Sequence, residues 1–291
     1  DYLEALKNAN IPEKKIHAAD VQKRDSFDRL VFTDAHIGMD TNPADEGLFD
    51  LNWDEPEIIN TAEMMVQEMC KFRQGDKLFI DNLGDFFDGY DGYTTRKKHK
   101  LDQKITTGQA FSLGIKFFCF IIDNLAHLYN TIYINNVCNN NHGGSMDEIF
   151  SLSLQHIYRN CERIKVNTIT KFLHHYQVGK HCFVITHGKD KRHLEYGWKH
   201  TLTPSIAMKI EGFLRHKKID PEKLRVQIDK GDNHLRMVDD GSSDFFTYNV
   251  HPALSPSSSW VQHNFKKGTR GFTMYSYEYE SHDFIVKNKN L

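Results

Sequence analysis

Hydrophobic residues follow two spacings along the chain from about residue 29 onward. Short apolar runs end in polar turns that contain glycine or histidine, and longer segments with helical spacing of their apolar residues lie between them. The first pattern is typical of β-strands and the second of amphipathic helices. We predict helices at 56–72, 105–128, 146–158 and 204–216, and strands at 30–33, 77–80, 131–137, 163–166, 172–177, 182–186, 224–228, 245–250, 271–279 and 283–286.

The order of these elements predicts an α/β fold. Strands that alternate with helices are typical of a sheet covered on both faces, and the concentration of strands in the last third of the chain indicates a second sheet. Residues 1–27 have a polar, helical pattern and are predicted to form a lead-in or linker. No domain boundary is apparent within 28–291, so we expect one domain there.

Composition narrows the class of protein. The 37 Lys and Arg against 39 Asp and Glu give a formal net charge of −2, which excludes a histone-like polybasic protein but leaves room for a local phosphate-binding patch. No apolar run is long enough to span a bilayer, so we expect no membrane partner. The five cysteines are odd in number and form no CxxC pair, which favours a reducing, cytoplasmic location. An upstream domain or protein partner stays open.

Metal-type side chains follow five of the predicted strands. Open α/β sheets place their ligand sites just past the carboxyl ends of strands, and histidine, of which the chain has 17, is the commonest metal ligand. Each piece alone is also what an ordinary turn contains. The repeated position and the similar spacing nevertheless favour a metal site built from Asp34, His36, Asp85, Asp88, Asn141, His142, His187, Asp232 and His234.

In this order the motifs resemble those of the calcineurin-like metallophosphoesterase superfamily. The matching segments are Asp34-Ala35-His36, Gly84-Asp85-Phe86-Phe87-Asp88, Asn141-His142, His187-Gly188 and Gly231-Asp232-Asn233-His234. A weaker likeness is to phage and bacterial DNA repair nucleases of the SbcD type. The resemblance implies an αββα sandwich of two mixed β-sheets flanked by helices, with 28–291 as the catalytic domain.

The resemblance also implies a role for each residue. Two divalent metal ions would hold a bridging hydroxide as the nucleophile, with Asp85 shared between them. His142 would be catalytic, and Asp88 would orient a ligand or the loop. The first metal would be bound by Asp34, His36, Asp85 and His234, and the second by Asp85, Asn141, His187 and Asp232.

Two positions depart from the family pattern. Asp232 stands where the family usually has a histidine, and the harder oxygen ligand favours Mn²⁺, with Mg²⁺, Fe or Zn²⁺ as alternatives. Gly143 stands where the family has an acid, which puts the orientation of His142 in question. We expect that replacing Asp232 removes metal and activity together.

The substrate is predicted from local clues. Lys189, Arg192 and His193 follow His187 and are predicted to bind substrate, and a basic run occupies 96–100. These residues favour a phosphodiesterase or nuclease acting on nucleic acid or a nucleotide. A small-nucleotide or cyclic-nucleotide phosphodiesterase, a phosphomonoesterase or protein phosphatase, and a non-catalytic metal-binding module are the alternatives. Aromatic residues could stack on bases, although a place in the core is commoner; they are Phe86, Phe87, Tyr90, Tyr93, Tyr196, Trp198 and Trp260.

Overall fold

The computed structural model describes residues 21–265 and 268–291. Most of the predicted lead-in therefore lies outside the described residues, and the first strand already begins at Ser26. The strands are β1 (Ser26–Phe32), β2 (Lys77–Asn82), β3 (Thr131–Val137), β4 (Ile164–Ile169), β5 (His174–Val178), β6 (His181–Thr186), β7 (Arg225–Lys230), β8 (Met237–Asp239), β9 (Thr247–Val250), β10 (Gly271–Glu278) and β11 (Phe284–Asn290). The helices are α1 (Glu55–Phe72), α2 (Thr107–Leu125), α3 (Ser145–Ile157), α4 (Pro204–His216) and α5 (Ser259–Asn264).

These strands form two mixed sheets. The first has the order β11-β10-β1-β2-β3-β4, and β1 to β4 run parallel while β10 and β11 are antiparallel to their neighbours. The second has the order β5-β6-β7-β9-β8, with β6, β7 and β9 parallel. The predicted fold of two mixed sheets flanked by helices is confirmed.

The C-terminal strands differ from the expectation that they would build the second sheet. β10 pairs with β1 along Ser26–Val31 and β11 pairs with β10, so both extend the first sheet. The second sheet is instead built from the middle of the chain, β5 to β9. Pairing between β1 and β10 joins residues about 250 positions apart, and local spacing of apolar residues carries no information on such a partner.

Apolar side chains fill three layers, because successive residues of a strand point to opposite faces of the sheet. Leu30 and Phe32 of β1 face the layer beneath α1, α2 and α3, whereas Phe27 and Val31 face the layer between the two sheets. A third layer packs α4 on the second sheet. This order of layers is an αββα sandwich.

A charged group is buried between the two sheets. Arg29 of β1 is fully buried and pairs with Asp81 of the first sheet and, at 3.0 Å, with Asp229 of the second. The hydroxyl of Tyr176 donates to Asp81 at 2.7 Å, and Nε2 of His251 lies 2.9 Å from Asp229. The two sheets are therefore joined by hydrogen-bonded charges as well as by apolar contact.

Helix α2 begins at a reciprocal capping pair. The side chain of Thr106 accepts a hydrogen bond from the amide of Gln109, whose side chain accepts one from the amide of Thr106. Such a pair satisfies two otherwise unpartnered amides and fixes where the helix starts. Within the described part of the chain, no helix combines the length and the apolar character needed to cross a membrane.

Candidate metal centre

The turns that follow β1, β2 and β7 meet at one place. The amide of Asp34 donates to the carbonyl of Gly84 at 3.0 Å, and the amide of His36 donates to the carbonyl of Asp85 at 3.1 Å. The amide of Asp232 donates to Oδ2 of Asp34 at 3.0 Å. Strands from both sheets thus bring their predicted ligands together at their carboxyl ends.

A glycine makes this close approach of the two sheets feasible. A Cβ on Gly231, directly after β7, would lie 2.1 Å from Oγ1 of Thr33 and 2.9 Å from Oδ2 of Asp34. Any larger residue would push the turn after β7 away from the turn after β1. The glycine of the last motif is therefore required by packing.

Five of the predicted ligands have a left-handed backbone. This conformation costs about 1 kcal/mol for most residues other than glycine, and its clustering at one site is typical of functional positions. The φ angles lie between 42° and 69° and belong to Asp34, His36, Asp85, Asp232 and His234. The surrounding hydrogen bonds hold these residues in a conformation that their own preferences oppose.

The first group of potential ligands surrounds one oxygen of Asp34. Its Oδ1 lies 3.2 Å from Nε2 of His234 and 3.6 Å from Nε2 of His36, and the ligand atoms of the three residues all lie within 4.8 Å of one another. This oxygen is buried and has no hydrogen-bond partner among the described residues. A buried carboxylate oxygen without a partner, next to two imidazole nitrogens, fits a cation.

The second group surrounds Nε2 of His187. Nδ1 of His187 lies 3.1 Å from the carbonyl oxygen of Leu83, which only accepts, so Nδ1 carries the proton in the neutral ring. Nε2 then presents a lone pair to Oδ2 of Asp85 at 3.0 Å, to Oδ1 of Asn141 at 3.1 Å and to Oδ1 of Asp232 at 4.0 Å. Acceptors facing one another require a positive charge between them.

The two groups share a carboxylate. Among the described residues, Asp34 belongs to the group with His36 and His234 and also to a group with Asp85 and His187, whereas Asp85 occurs only in the latter. Asp34 therefore belongs to both groups, and Asp85 belongs to one of them. The bridging role implied for Asp85 stays a prediction.

Electrostatics at both groups favour positive charge. Burial alone would lower the pKa of His187, but the nearby Asp85 and Asp34 outweigh it and raise that pKa to about 9. Burial likewise disfavours the charged forms of both carboxyls, yet His234 beside Asp34 and His187 beside Asp85 hold the carboxyl pKa values below their ordinary range. A divalent cation bound here would take the place of such protons.

Asp88 contacts two histidines through one oxygen. Its Oδ1 lies 3.0 Å from Nδ1 of His36 and 3.2 Å from Nδ1 of His142. A carboxylate this close to Nδ1 favours one orientation of the ring and directs Nε2 away from it, although neither Nδ1 makes a hydrogen bond among the described residues. In His36 the Nε2 atom faces Asp34, and the orienting role of Asp88 stays a prediction. His142 is the more exposed of the two, with 23% of its side chain accessible.

Asp147 is a functional candidate that the sequence did not reveal. Its carboxylate accepts hydrogen bonds from the amides of Phe86 at 3.4 Å and Phe87 at 3.3 Å, the two residues between Asp85 and Asp88. Burial, and then the charge of Asp85, raise the pKa of Asp147 to about 7. In sequence it is one acidic residue in the first turn of α3, a place where acids occur for the helix dipole alone.

The same carboxylate explains the departure at position 143. A Cβ on Gly143 would lie 2.2 Å from Oδ1 of Asp147 and 2.5 Å from its Cγ. The space in which a side chain at 143 would begin is thus occupied by Asp147. Nδ2 of Asn140 also donates to Asp147 at 2.5 Å. An acid is present at this place, although it comes from the next helix.

The two groups open into a cleft of about 690 Å³. Lys189, predicted to bind substrate, lines it together with several basic residues of 96–100 and a segment at the start of α5. Arg192 and His193 are exposed and do not line it, and His193 pairs with Asp190 at 2.9 Å. Contact of substrate with Arg192 and His193 stays a prediction that this arrangement does not support.

The aromatic residues singled out in the sequence divide into two sets. Phe86, Phe87 and Trp198 are core residues, and the two phenylalanines anchor the turn between Asp85 and Asp88. The exposed set is Tyr90, Tyr93, Tyr196 and Trp260. Of these four, Trp260 lines the cleft.

The known proteins that resemble this chain are found among solved structures. No family model matches the chain, and no curated protein matches it. Among solved structures it is similar to Vps29 complexed with Zn²⁺ from Entamoeba histolytica, with 8% identity over 90% of this chain and 98% of that one, at a TM-score of 0.37. It is also similar to a predicted phosphoesterase from Streptococcus pneumoniae TIGR4, with 8% identity over 91% of this chain and 98% of that one, at a TM-score of 0.34.

A third similar structure is the 5′-nucleotidase from Candida albicans SC5314. The identity is 10%, the match covers 95% of this chain and 52% of that one, and the TM-score is 0.40. Identities and scores of this size carry no argument about activity.

Proposed function

We propose that the chain is a metal-dependent phosphoesterase of the calcineurin-like type that hydrolyses phosphodiesters, with nucleic acid as its substrate. The observation that supports this most is the buried convergence of acceptor atoms around Asp34 Oδ1 and His187 Nε2. It stands at the base of a cleft that also presents His142 and basic side chains. The order of the ligand motifs in the sequence agrees with it.

The residues present fit two divalent cations. All ligand atoms are nitrogen or oxygen, which suits Mn²⁺ or Mg²⁺ with imidazole support better than a thiolate site would. Such cations supply Lewis acidity and lower the pKa of water at neutral pH. The carboxylates of Asp34 and Asp85 hold the negative charge that binds them, and Asp232 adds a carboxylate near the second group.

His142 has a separate role in this proposal. Its Nδ1 faces Asp88 and its ring lies in contact with that of His36, with centroids 4.6 Å apart. With Nδ1 turned towards Asp88, Nε2 of His142 can act as the donor of a proton to the ester oxygen that leaves. The amide of His142 also donates to Oδ1 of Asp85 at 2.9 Å, which fixes the residue relative to the ligands.

Two variants test this division of roles. Asp232→Ala should lose bound metal and the hydrolysis of bis(p-nitrophenyl) phosphate together, because a ligand is removed. His142→Ala should keep its metal and lose about 10²- to 10⁴-fold in kcat, because a proton donor is removed. Metal content by mass spectrometry and Mn²⁺-dependent turnover, measured on the same samples, separate the two effects.

The proposal fails if the wild-type chain binds two metals and hydrolyses no phosphate ester, which is the behaviour expected of a non-catalytic metal-binding module. It also fails if Asp232→Ala retains full metal content and turnover. A small-nucleotide phosphodiesterase is the second candidate, because a cleft of about 690 Å³ lies within the range of small-molecule sites.

A further inference from the structure

An exposed tryptophan stands on the wall of the metal cleft. Trp260 lies in the first turn of α5, lines the cleft and has 64% of its surface accessible. Burying tryptophan is normally favourable by several kcal/mol, so an exposed tryptophan on the wall of a cleft indicates a place that a ligand can cover. Its ring contacts that of Phe265, also exposed, with centroids 5.4 Å apart.

The wall that carries Trp260 is fixed to the metal ligands. The amide of Ser255, in the segment before α5, donates to the carbonyl of Asp34 at 3.1 Å. Behind α5, Nε2 of Gln262 donates to the carbonyl of Thr41 at 3.1 Å, and its Oε1 accepts from the amide of Phe49 at 3.0 Å. Backbone bonds therefore set the position of this wall relative to Asp34.

A second wall of the cleft is cationic and equally well fixed. The amides of Thr95 and Arg96 donate to the carbonyls of His142 and Asn141 at 2.9 and 3.0 Å. The basic turn that follows, residues 96–100, contributes Arg96, Lys97, His99 and Lys100 to the lining. Arg96 is nearly buried and lies 3.8 Å from Asp190, so the exposed positive charge of this wall is on Lys97 and Lys100.

The tip of the basic turn uses residues that fit its backbone poorly. Lys97 and Lys98 both have a left-handed conformation, with φ of 57° and 53°. Asparagine and glycine are the residues that favour such a pair of positions. Two lysines at these positions lower the stability of the fold. Among the ion pairs described, Lys97 has only an exposed one with Glu195 at 3.6 Å, and such a pair contributes little to stability. The stability of the fold therefore does not explain why the tip of this turn carries lysines.

We infer that Trp260 and Lys97 form a subsite that binds one nucleotide unit with an unpaired base: the base stacks on Trp260 and its phosphates lie along the basic turn. The inference rests on the proposed function, because the subsite belongs to the same cleft. A base in a duplex has both faces covered, so the subsite selects single strands, strand ends or free nucleotides. Stacking of this kind is tolerant of base identity.

The test compares binding of two fluorescent probes in Mn²⁺ buffer. One is a short phosphorothioate oligothymidylate, in which hydrolysis is slow, and the other is its abasic counterpart with the same backbone. Trp260→Ala should weaken binding of the oligothymidylate about tenfold and leave the abasic strand unaffected. Trp260→Phe should restore most of the affinity. Phe245→Ala, which removes an exposed aromatic outside the cleft, should change neither.

The basic turn has its own matched control. Lys97→Asn and Lys98→Asn each remove one charge and relieve the same backbone strain, but only Lys97 lines the cleft. Lys97→Asn should weaken both probes and reduce the slope of log Kd against log salt by about 0.7, the value for one phosphate contact on a single strand. Lys98→Asn should change the slope less, and neither variant should lower the Tm.

The outcomes separate this inference from the proposed function. Equal loss of both probes in Trp260→Ala, or no loss of either, overturns the subsite. A shift of Trp260→Ala from dimer to monomer with unchanged binding overturns it too, and assigns Trp260 to a protein interface. If thymidine monophosphate competes with the oligothymidylate probe, the subsite binds free nucleotides. If only longer strands compete, it binds a nucleotide unit within a strand. Both results support the subsite. Wild-type chain that binds through Trp260 yet hydrolyses no ester overturns the proposed function alone.

Discussion

At the residue scale, the carboxylate of Asp147 fills the space that a side chain at Gly143 would need. The carboxylate of Asp147 accepts hydrogen bonds from the amides of Phe86 and Phe87 and so stabilises the turn between Asp85 and Asp88. A side chain at 143 and the present side chain at 147 exclude each other. Their effects on stability should therefore be non-additive, as is usual for residues in contact.

A double-mutant cycle measures this coupling. Gly143→Asp alone should destabilise the fold by more than about 2 kcal/mol, because the new Cβ overlaps a buried carboxylate. Asp147→Ala removes the overlap and frees the space, so Gly143→Asp should cost much less in that background. Urea unfolding of the four proteins gives the coupling energy. Additive costs would show that Asp147 does not occupy the place of a side chain at 143.

The sequence places the candidate ligands after strands, but it does not reveal the residues that support them. Asp34, Asp85, His187 and Asp232 follow strands that come together, and position after a strand is a local property that spacing reveals. Asp147 acts through backbone amides of a turn 60 residues earlier, and no local pattern marks such a contact. The exposure of Trp260 could not be predicted either, because the sequence does not distinguish an aromatic residue of the core from one on the wall of a cleft.

At the element scale, helix α2 supports the site through a glycine. A Cβ on Gly114 would lie 2.7 Å from the ring of Phe87 and 2.9 Å from that of Phe86. The absence of a side chain lets the helix pack directly on the turn that carries Asp85 and Asp88. The helix thus transmits its position to the candidate ligands by contact with two rings.

Two glycine-to-alanine replacements in helices should have opposite effects. Gly114→Ala should destabilise the chain by about 1–3 kcal/mol by overpacking and should lower metal affinity, because Phe87 moves the turn. Gly212→Ala in α4, where a Cβ meets nothing within 4 Å, should stabilise by about 0.5–1 kcal/mol through helix propensity. Thermal unfolding and metal titration of both variants check this pair. A stabilised Gly114→Ala with normal metal binding would contradict the packing argument.

The presence of a helix or strand was predicted more reliably than the residues at its ends or the strand with which it pairs. The strand at 131–137 and the helix at 204–216 were predicted with the bounds that the structure has, since turn and capping residues mark both ends. The helix predicted at 105–128 is shorter, Thr107–Leu125, because apolar spacing continues beyond its last turn. Met237–Asp239 and Ser259–Asn264 were missed, being too short to show a period.

At the scale of the whole molecule, the layer between the two sheets contains a histidine that stays neutral. His181 at the start of β6 is fully buried, and its Nε2 lies 2.9 Å from the carbonyl of Glu278. Burial lowers its pKa to about 4, against about 6.5 in an unfolded chain. Between these two pH values the unfolded chain binds a proton that the folded chain does not.

Stability should therefore fall as the pH drops from about 6.5 to about 4, since protonation stabilises only the unfolded state. The loss from this residue is expected to reach about 1–2 kcal/mol after allowance for solvent screening. His181→Gln keeps a hydrogen-bond donor without the titration, so the difference in unfolding free energy between wild type and variant should vary with pH in this window. A difference that is independent of pH would refute the assignment.

The sandwich itself could be predicted as a class, but the pairing across it could not. Arg29 lies just outside the strand predicted at 30–33. In the structure it is fully buried and joins Asp81 and Asp229 of different sheets. Which charges become neighbours depends on how two sheets are superposed, and that depends on the whole set of contacts.

The left-handed residues of the candidate metal centre have a consequence for how this chain would change under selection. Five residues at the strand ends oppose their backbone preference, and the buried carboxylates of Asp34, Asp85 and Asp88 lie there without adding to the apolar core. Glycine or asparagine at these positions would relieve both costs. A library of this chain selected for heat resistance alone should therefore lose the candidate metal ligands first, and survivors that keep them should be enriched only when the selection also demands bound metal.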